Sequence, residues 1–254
     1  GSYKVYTPFA RAVRQAGPDR PLAPPGQLTA LPAIGDLRVE TLNLAPDMYR
    51  GAPVLAEHAR PAGEAAAFER LDDFFDRARD YPTHRDRPDI DATSGLSEHL
   101  ALGEISPRRI WATASLRGEV EPSLATGSEK FLSEVLWREF AWHLLLAFPQ
   151  MPEAPWRPEW ASFPWAGESP AATAWAQAET GIALVDAGLR EMRVTGRMHN
   201  RVRMVVASWL TKHLMTDWRI GLHHFADSLT DWDPAANAMN WQWVAGCGPD
   251  ASPF

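Results

Sequence analysis

The sequence predicts an all-α fold with long connecting loops. Three observations carry that prediction. From Glu64 onward, apolar residues recur at the spacing of a helical face. No segment after residue 64 alternates with the two-residue period of a half-buried strand. Prolines, which interrupt helices, gather in the first 65 residues and in 149–170.

Residues 1–63 are rich in Pro, Gly and Ala and carry the turn signals "APPG" and "RPAG". They read as an irregular segment of interdomain type with short helical pieces. Residues 64–254 read as the helical domain. "EAAAFERLDDFFDRARD" is expected as one amphipathic helix, with Phe68, Leu71, Phe75 and Ala78 on its apolar face. "SEHLALG" gives a short helix. Ser106 caps the next one, with Pro107 at its first position. "SEKFLSEVLWREFAWHLLLAFP" is a long helix stopped by Pro149, and a Pro/Trp-rich loop follows over 149–170. "GIALVDAGLREMRVTG" is a helix closed by Gly196. "HNRVRMVVASWLTKHLMT" and "DWRIGLHHFADSLT" give two more.

At 254 residues and 45% hydrophobic content, the chain can bury a sizeable core. Its net charge of −7 argues against unspecific coating of a polyanion, yet leaves room for one basic groove. The single cysteine, Cys247, rules out an intramolecular disulfide and fits a reducing, cytoplasmic setting. No run of 18 apolar residues and no signal-peptide pattern occurs. Walker, GxGxxG, HExxH and GxSxG motifs are absent, and His223-His224 lacks a ligand-spaced partner, so no metal is expected.

Four stretches could carry chemistry. In "DATSGLSEHLALGEIS", Thr93, Ser94 and Ser97 surround Gly95 ahead of a helix. That is either a phosphate cradle or an ordinary N-cap. In "EVLWREF", Glu134, Trp137 and Arg138 share a helical face, which suits either a planar polar ligand or a surface ion pair beside a half-buried indole. "TGRMHNRVRMVVASWL" is a local basic patch around Arg197, Arg201 and Arg203. Its arginines border an apolar helix and need partners, for which Asp231 and Asp233 are candidates. "TDWDPAANAMNWQW" packs three of the twelve tryptophans beside those two acids.

The segments "TSGLS", "SEVLWREFAWHL", "TGIALVDAGLREM", "TGRMHNRVRMVVASWLTKHLMTDWR" and "DWDPAANAMNWQWVAGCGPDASPF", entered through "YKVYTPFARAV", resemble in order and spacing the helical FAD-binding domain of the DNA photolyase and cryptochrome family. They look most like bacterial class I cyclobutane-pyrimidine-dimer photolyases. The resemblance implies light-driven repair of pyrimidine dimers in damaged DNA by a monomer. A cryptochrome-like photoreceptor without repair is the alternative. It also implies a fragment, because relatives add an antenna domain carrying a folate or deazaflavin pigment and continue past Phe254.

Carried over position by position, the resemblance implies FAD contacts from Tyr81, Thr93, Ser94, Gly95, Leu96, Ser97, Arg138, Asn200, Arg203, the stretch Asp231, Trp232 and Asp233, and Asn237, which would face flavin N5. Within that stretch Trp232 has core packing as its default role. Trp241, Trp218 and Trp165 would be the inner, middle and outer members of an electron-transfer line, although three indoles can also be plain core. Trp137 and Trp243 would wall the lesion, Glu134 would hydrogen-bond the thymine edges, and Asn200 and Met204 would line the same pocket. Arg85, Arg201 and Lys212 would meet DNA phosphates. Arg197 stands where most relatives have Trp.

Overall fold

The computed structural model describes residues 2–30, 38–42 and 52–249. Among these the secondary structure is helical, and the one β-type pairing is an isolated parallel bridge between Ala166 and Thr216. In chain order the helices are α1 (Tyr6–Ala16), α2 (Ala52–Glu57), α3 (Glu64–Phe75), α4 (Tyr81–His84), α5 (Ser97–Ala101), α6 (Pro107–Val120), α7 (Ala125–Ala147), α8 (Pro170–Ala176), α9 (Ala183–Thr195), α10 (Asn200–Ser208), α11 (Trp218–Ser228) and α12 (Pro234–Ala245). None is long and apolar enough to cross a membrane.

Local chemistry explains most of the boundaries. Ser106, Ser169, Asp217 and Asp233 each accept a hydrogen bond from a backbone N–H in the first turn of the helix they precede. Such a cap contributes about 1 kcal/mol. Proline follows immediately at 107, 170 and 234, where its missing N–H costs nothing. Gly196 and Gly246 close α9 and α12 in the left-handed conformation.

Four features differ from the sequence reading. The helix expected over 64–80 ends at Phe75. The chain then breaks through Asp76 and Arg77 into a 3₁₀ turn at Ala78–Asp80, so that Phe74 joins Leu71 and Phe75 inside while Phe68 is only partly covered. The helix that begins at Asn200 widens into a π turn over Trp209–His213. Residues 6–16, within the segment read as irregular, form an eleven-residue helix whose Phe9 and Ala10 are buried. Trp232 is 42% exposed, so core packing is not its role: it lies in the short turn just ahead of the Asp233 cap. Residues 93–96 and 149–169 are loops and turns as expected, the second with a 3₁₀ turn at Pro158–Ser162, while Asp250 to Phe254 lie outside the described residues.

Two apolar clusters form the interior, and α7 is the wall they share. Its first half gives Phe131, Leu132 and Val135 to a cluster with α3 and α6. Its second half gives Phe140, Ala141 and Leu144 to a larger cluster with α9, α10, α11 and α12. At about 34 Å this helix is long enough to serve both. Glu134, Trp137 and Arg138 sit where the two clusters meet. A fully buried Gln242 ties the 151–156 loop to α12. Its Oε1 accepts from Trp156 N at 2.6 Å, and its Nε2 donates to Met151 O at 2.5 Å and Ala154 O at 2.9 Å.

His199 caps α10 by a less common route. Its Nδ1 accepts from Arg201 N at 3.2 Å and its Nε2 faces Arg85 O at 3.1 Å. That pattern fits the neutral ring with hydrogen on Nε2. Burial holds its pKa below the ordinary 6.5, and Arg201 acts the same way. The Arg85 carbonyl, Glu191 and Asp86 oppose.

Two outcomes follow from the packing. A Cβ on Gly127 would collide with the backbone carbonyl of Ala78. Gly127→Ala should therefore destabilise the fold by about 2 kcal/mol in urea unfolding, where an unconstrained helix would gain from alanine. For His199 the unfolded state binds a proton more readily than the folded one. Its contribution is present above about pH 6.5 and is lost as pH falls through the lower folded value. His199→Asn keeps a capping acceptor without titrating, so its urea midpoint should fall less steeply than the parent's between pH 7 and pH 5.

Candidate functional site

The hydroxyl-rich loop Thr93–Ser97 runs into α5. Gly95 holds φ +63°, Leu96 is buried, and Ser94 Oγ accepts from Leu96 N at 3.4 Å. Among the described residues, no hydrogen bond uses the backbone N–H of Ser94 or Gly95. Tyr81, on α4, is buried edge-on against Phe74 at 5.1 Å, with the Arg85 guanidinium 5.6 Å from its ring centre. Burial pushes its hydroxyl above the ordinary range.

A second group joins α7, α10 and the start of α12. Asp233 Oδ1 accepts from Ala236 N at 2.9 Å, while its Oδ2 accepts from Trp142 Nε1 at 2.8 Å and lies 3.5 Å from Arg138. Arg203 donates one terminal nitrogen to both oxygens of Asp231, at 2.9 and 2.8 Å, and its Nε to Met198 O at 2.8 Å. Of the three arginines at the edge of the apolar helix, Arg203 finds its partner among the acids singled out in the sequence, whereas Arg197 pairs with Glu98 and Arg201 with Asp86. Asn237, on α12, donates its Nδ2 to Leu222 O at 3.0 Å. Its side-chain oxygen accepts no bond among the described residues.

Backbone contacts and one glycine bring the segments that carry the indoles at 165, 218 and 241 close to one another. Ala166 N donates to Met215 O and Asp217 N donates to Ala166 O, both at 2.8 Å. This clamp sets Trp165 beside the entry to α11, whose first residue is Trp218. One turn later stands Gly221, where a Cβ would collide with the benzo ring of Trp241. Trp218 and Trp241 are buried, at 0% and 2% exposure, while Trp165 is partly exposed. The Arg219 guanidinium covers Trp218 at 4.6 Å. Trp241 Nε1 is buried with no hydrogen bond.

A row of alternating charges occupies the opposite side. Arg201 contacts Asp86 at 2.9 and 2.8 Å, Asp86 contacts Arg85 at 3.2 Å, Arg85 pairs with Glu134, and Glu134 lies 3.2 Å from Lys130. Arg201 also donates to Met204 Sδ at 3.3 Å. Trp137 stacks on Tyr6, with ring centres 3.7 Å apart and planes 4° from parallel. Trp243 is partly buried against the larger cluster, and Asn200 is exposed at the start of α10. Lys212 lies in the π turn, where desolvation lowers its pKa.

Four participants escaped the sequence reading. Trp142 lies one turn beyond Arg138 and could have been found from that spacing. Tyr6 gave no local signal, because its partner Trp137 is distant in the chain, and Asp86, though it adjoins Arg85, meets Arg201 only through the fold. Trp175 is fully buried, meets Trp241 edge-on at 6.2 Å, and donates Nε1 to Val206 O at 3.1 Å.

Comparison with known proteins identifies the arrangement. Residues 131–254 match the family described as the FAD binding domain of DNA photolyase. The deoxyribodipyrimidine photo-lyase of Agrobacterium fabrum is 45% identical over 259 residues, covering 100% of this chain and 53% of that protein. A bacterial class III photolyase structure from Agrobacterium tumefaciens superposes with a TM-score of 0.87 at 44% identity, again over 100% of this chain and 53% of the other. A Synechocystis cryptochrome structure gives 0.84 at 32% identity, over 99% and 53%. The likeness to class I is therefore not singled out among the photolyases, since one strong match is a class III member. The chain spans about half the length of the curated relatives it matches. With that match running from end to end of the chain, it belongs to the DNA photolyase and cryptochrome family and represents the helical FAD-binding domain of a photolyase.

Proposed function

We propose that this chain is the FAD-binding catalytic part of a light-driven lyase that splits cyclobutane pyrimidine dimers in DNA. The observation that carries the flavin-driven part of the reading is the nearness of the segments bearing partly exposed Trp165, buried Trp218 and buried Trp241, with Asn237 one turn from Trp241 on α12. Bound FAD would supply, in its reduced form, a light-excited donor of one electron. With that electron lent and then returned, opening of the two cyclobutane carbon–carbon bonds would be a lyase reaction without net redox change.

The residues present fit such a cofactor. The unengaged N–H groups of Ser94 and Gly95, with Thr93, Leu96, Ser97 and Tyr81, suit its diphosphate and ribityl chain. Arg203 offers a positive charge held in place by Asp231, which favours an anionic reduced ring. Arg138, Asn200, Asp233 and Asn237 complete the polar contacts. Asn237 is an amide anchored through Nδ2, so it presents an acceptor and no titrating proton.

On the DNA side, the chain's own groups would grip the pyrimidine dimer flipped out of the duplex. Trp137 is held flat by Tyr6 and offers an aromatic wall, with Trp243 as the other. Glu134 would accept hydrogen bonds from the thymine edges, and Arg85 orients its carboxylate before the lesion arrives. Arg201, bordering Met204, would meet a flanking phosphate in exchange for Asp86, an exposed pair that is easily traded. The protein would act as a cytoplasmic monomer.

A cryptochrome-like photoreceptor is the second reading. It is favoured by the Synechocystis match and by an indole line that serves either purpose. Glu134 with Trp137 and Trp243 favours repair.

Four measurements decide. Purified chain should show flavin absorption between 350 and 500 nm, on the order of one flavin per polypeptide. Illumination of the reduced holoprotein with a dimer-containing oligonucleotide should restore thymines, and unchanged dimer content with flavin bound would sink the repair reading. Trp241→Phe should slow photoreduction at least about tenfold, more than 1.4 kcal/mol in barrier, yet leave repair by pre-reduced protein intact. Trp243→Ala should weaken lesion binding and leave photoreduction unchanged.

A further inference from the structure

The outer side of the Thr93–Ser97 loop is held by arginines from three separate segments. Arg77 donates to Thr93 O at 3.2 Å and to Asp91 O at 3.0 Å. Arg70, on α3, donates its Nε to Ser94 O at 2.9 Å. Arg60, just ahead of α3, donates to Gly95 O at 3.2 Å. Three consecutive carbonyls therefore each receive a guanidinium.

In a trans peptide the C=O of one residue and the N–H of the next point in opposite directions. Fixing the carbonyls of Thr93, Ser94 and Gly95 toward the arginines turns the N–H groups of Ser94, Gly95 and Leu96 the other way. Two of those three, on Ser94 and Gly95, have no partner among the described residues. The Arg60 and Arg70 guanidinium groups lie directly against Gly95, whose φ of +63° is a conformation that glycine adopts without strain.

The charges point the same way. Arg197 joins this group by pairing with Glu98 at 3.3 Å and donating to His58 O at 2.8 Å. Four guanidinium groups at 60, 70, 77 and 197 face two carboxylates, Asp91 and Glu98. Two positive charges are left uncompensated, the number an FAD diphosphate would neutralise. Burial and the neighbouring Arg197 and Arg70 lower the pKa of Arg60, as expected where positive charge is in excess.

We propose that Arg60, Arg70 and Arg77 are positioning residues that hold the loop's N–H groups toward the cofactor diphosphate while their charge favours its binding. This rests on the FAD reading above and adds the residues that preorganise its site. None of them need touch the ligand. Arg77 is the sharpest probe, because its two terminal nitrogens bridge carbonyls two residues apart. A lysine keeps the charge but cannot make that bridge.

The test uses the whole chain and the equilibrium affinity for FAD, read by flavin fluorescence, with the urea midpoint of FAD-free protein read in parallel. Arg77→Lys and Arg70→Gln should each weaken FAD about tenfold and speed its dissociation, with the FAD-free midpoint unchanged. Affinities within twofold of the parent overturn the proposal. So does a loss of affinity that follows an equal loss of FAD-free stability, since that marks mere packing. Full recovery with Arg77→Lys overturns the positioning role by leaving charge alone as the cause. A parent chain that takes up no FAD refutes the FAD reading itself, and this proposal with it.

Discussion

Much of the structure hangs on the carboxylate of Asp233. One oxygen caps α12 and the other accepts the Trp142 indole N–H, with the Arg138 guanidinium close by. A carboxylate with a side chain 10% exposed is costly to bury unless its lone pairs are satisfied. Here one donor comes from α12 and two from α7, so satisfying the charge also docks the two helices. Asn237, Trp241, Gln242 and Trp243 all ride on α12. Their placement relative to Glu134, Trp137 and Arg138 on α7 is therefore set by one acid.

From that anchor, helical geometry distributes the tasks. Asn237 and Trp241 are four residues apart and share the face toward α11, one meeting Leu222 O and the other lying on Gly221. Gln242 is one step of about 100° further round and ties down the 151–156 loop instead. The indoles of "NWQW" crowd together because neighbouring positions on one buried helix serve different neighbours.

What could be read from the sequence divides along physical lines. Capped, amphipathic helices were legible because their signals are local: Ser106 with Pro107, Gly196 after α9, the apolar face of α3. The helical character of α12 is hard to read from periodicity. Apolar residues at 235, 238, 239, 241, 244 and 245 are buried around most of its circumference, leaving no polar stripe to reveal a period. The break at Asp76–Arg77 and the π turn at Trp209–His213 answer to tertiary contacts. So does the exposure of Trp232, since hydrophobicity alone would bury it. The motifs named the candidate residues, and the fold supplied partners such as Tyr6, which no spacing links to the Trp137 ring it stacks on. The arginines behind the Thr93–Ser97 loop are the clearest case. Scattered at 60, 70 and 77, they look like solvated charges until the chain folds them onto three successive carbonyls.

The indole line sets its own packing requirement. Electron hopping depends on near contact, and rings held by flexible surfaces would not keep it. Trp241 reaches α11 because Gly221 has no side chain, and Phe225 at 4.9 Å and Trp175 at 6.2 Å hold its ring edge-on. Trp218 is sealed beneath Arg219, itself fixed by Asp217 and by Glu153 O. Of the three, Trp165 is the one that reaches toward solvent, where under the proposed reading an oxidised indole would be open to re-reduction. The same dense packing that stabilises the larger cluster would therefore serve the proposed transfer line, and a side chain added at Gly221 or a cavity opened at Phe225 would disturb both together.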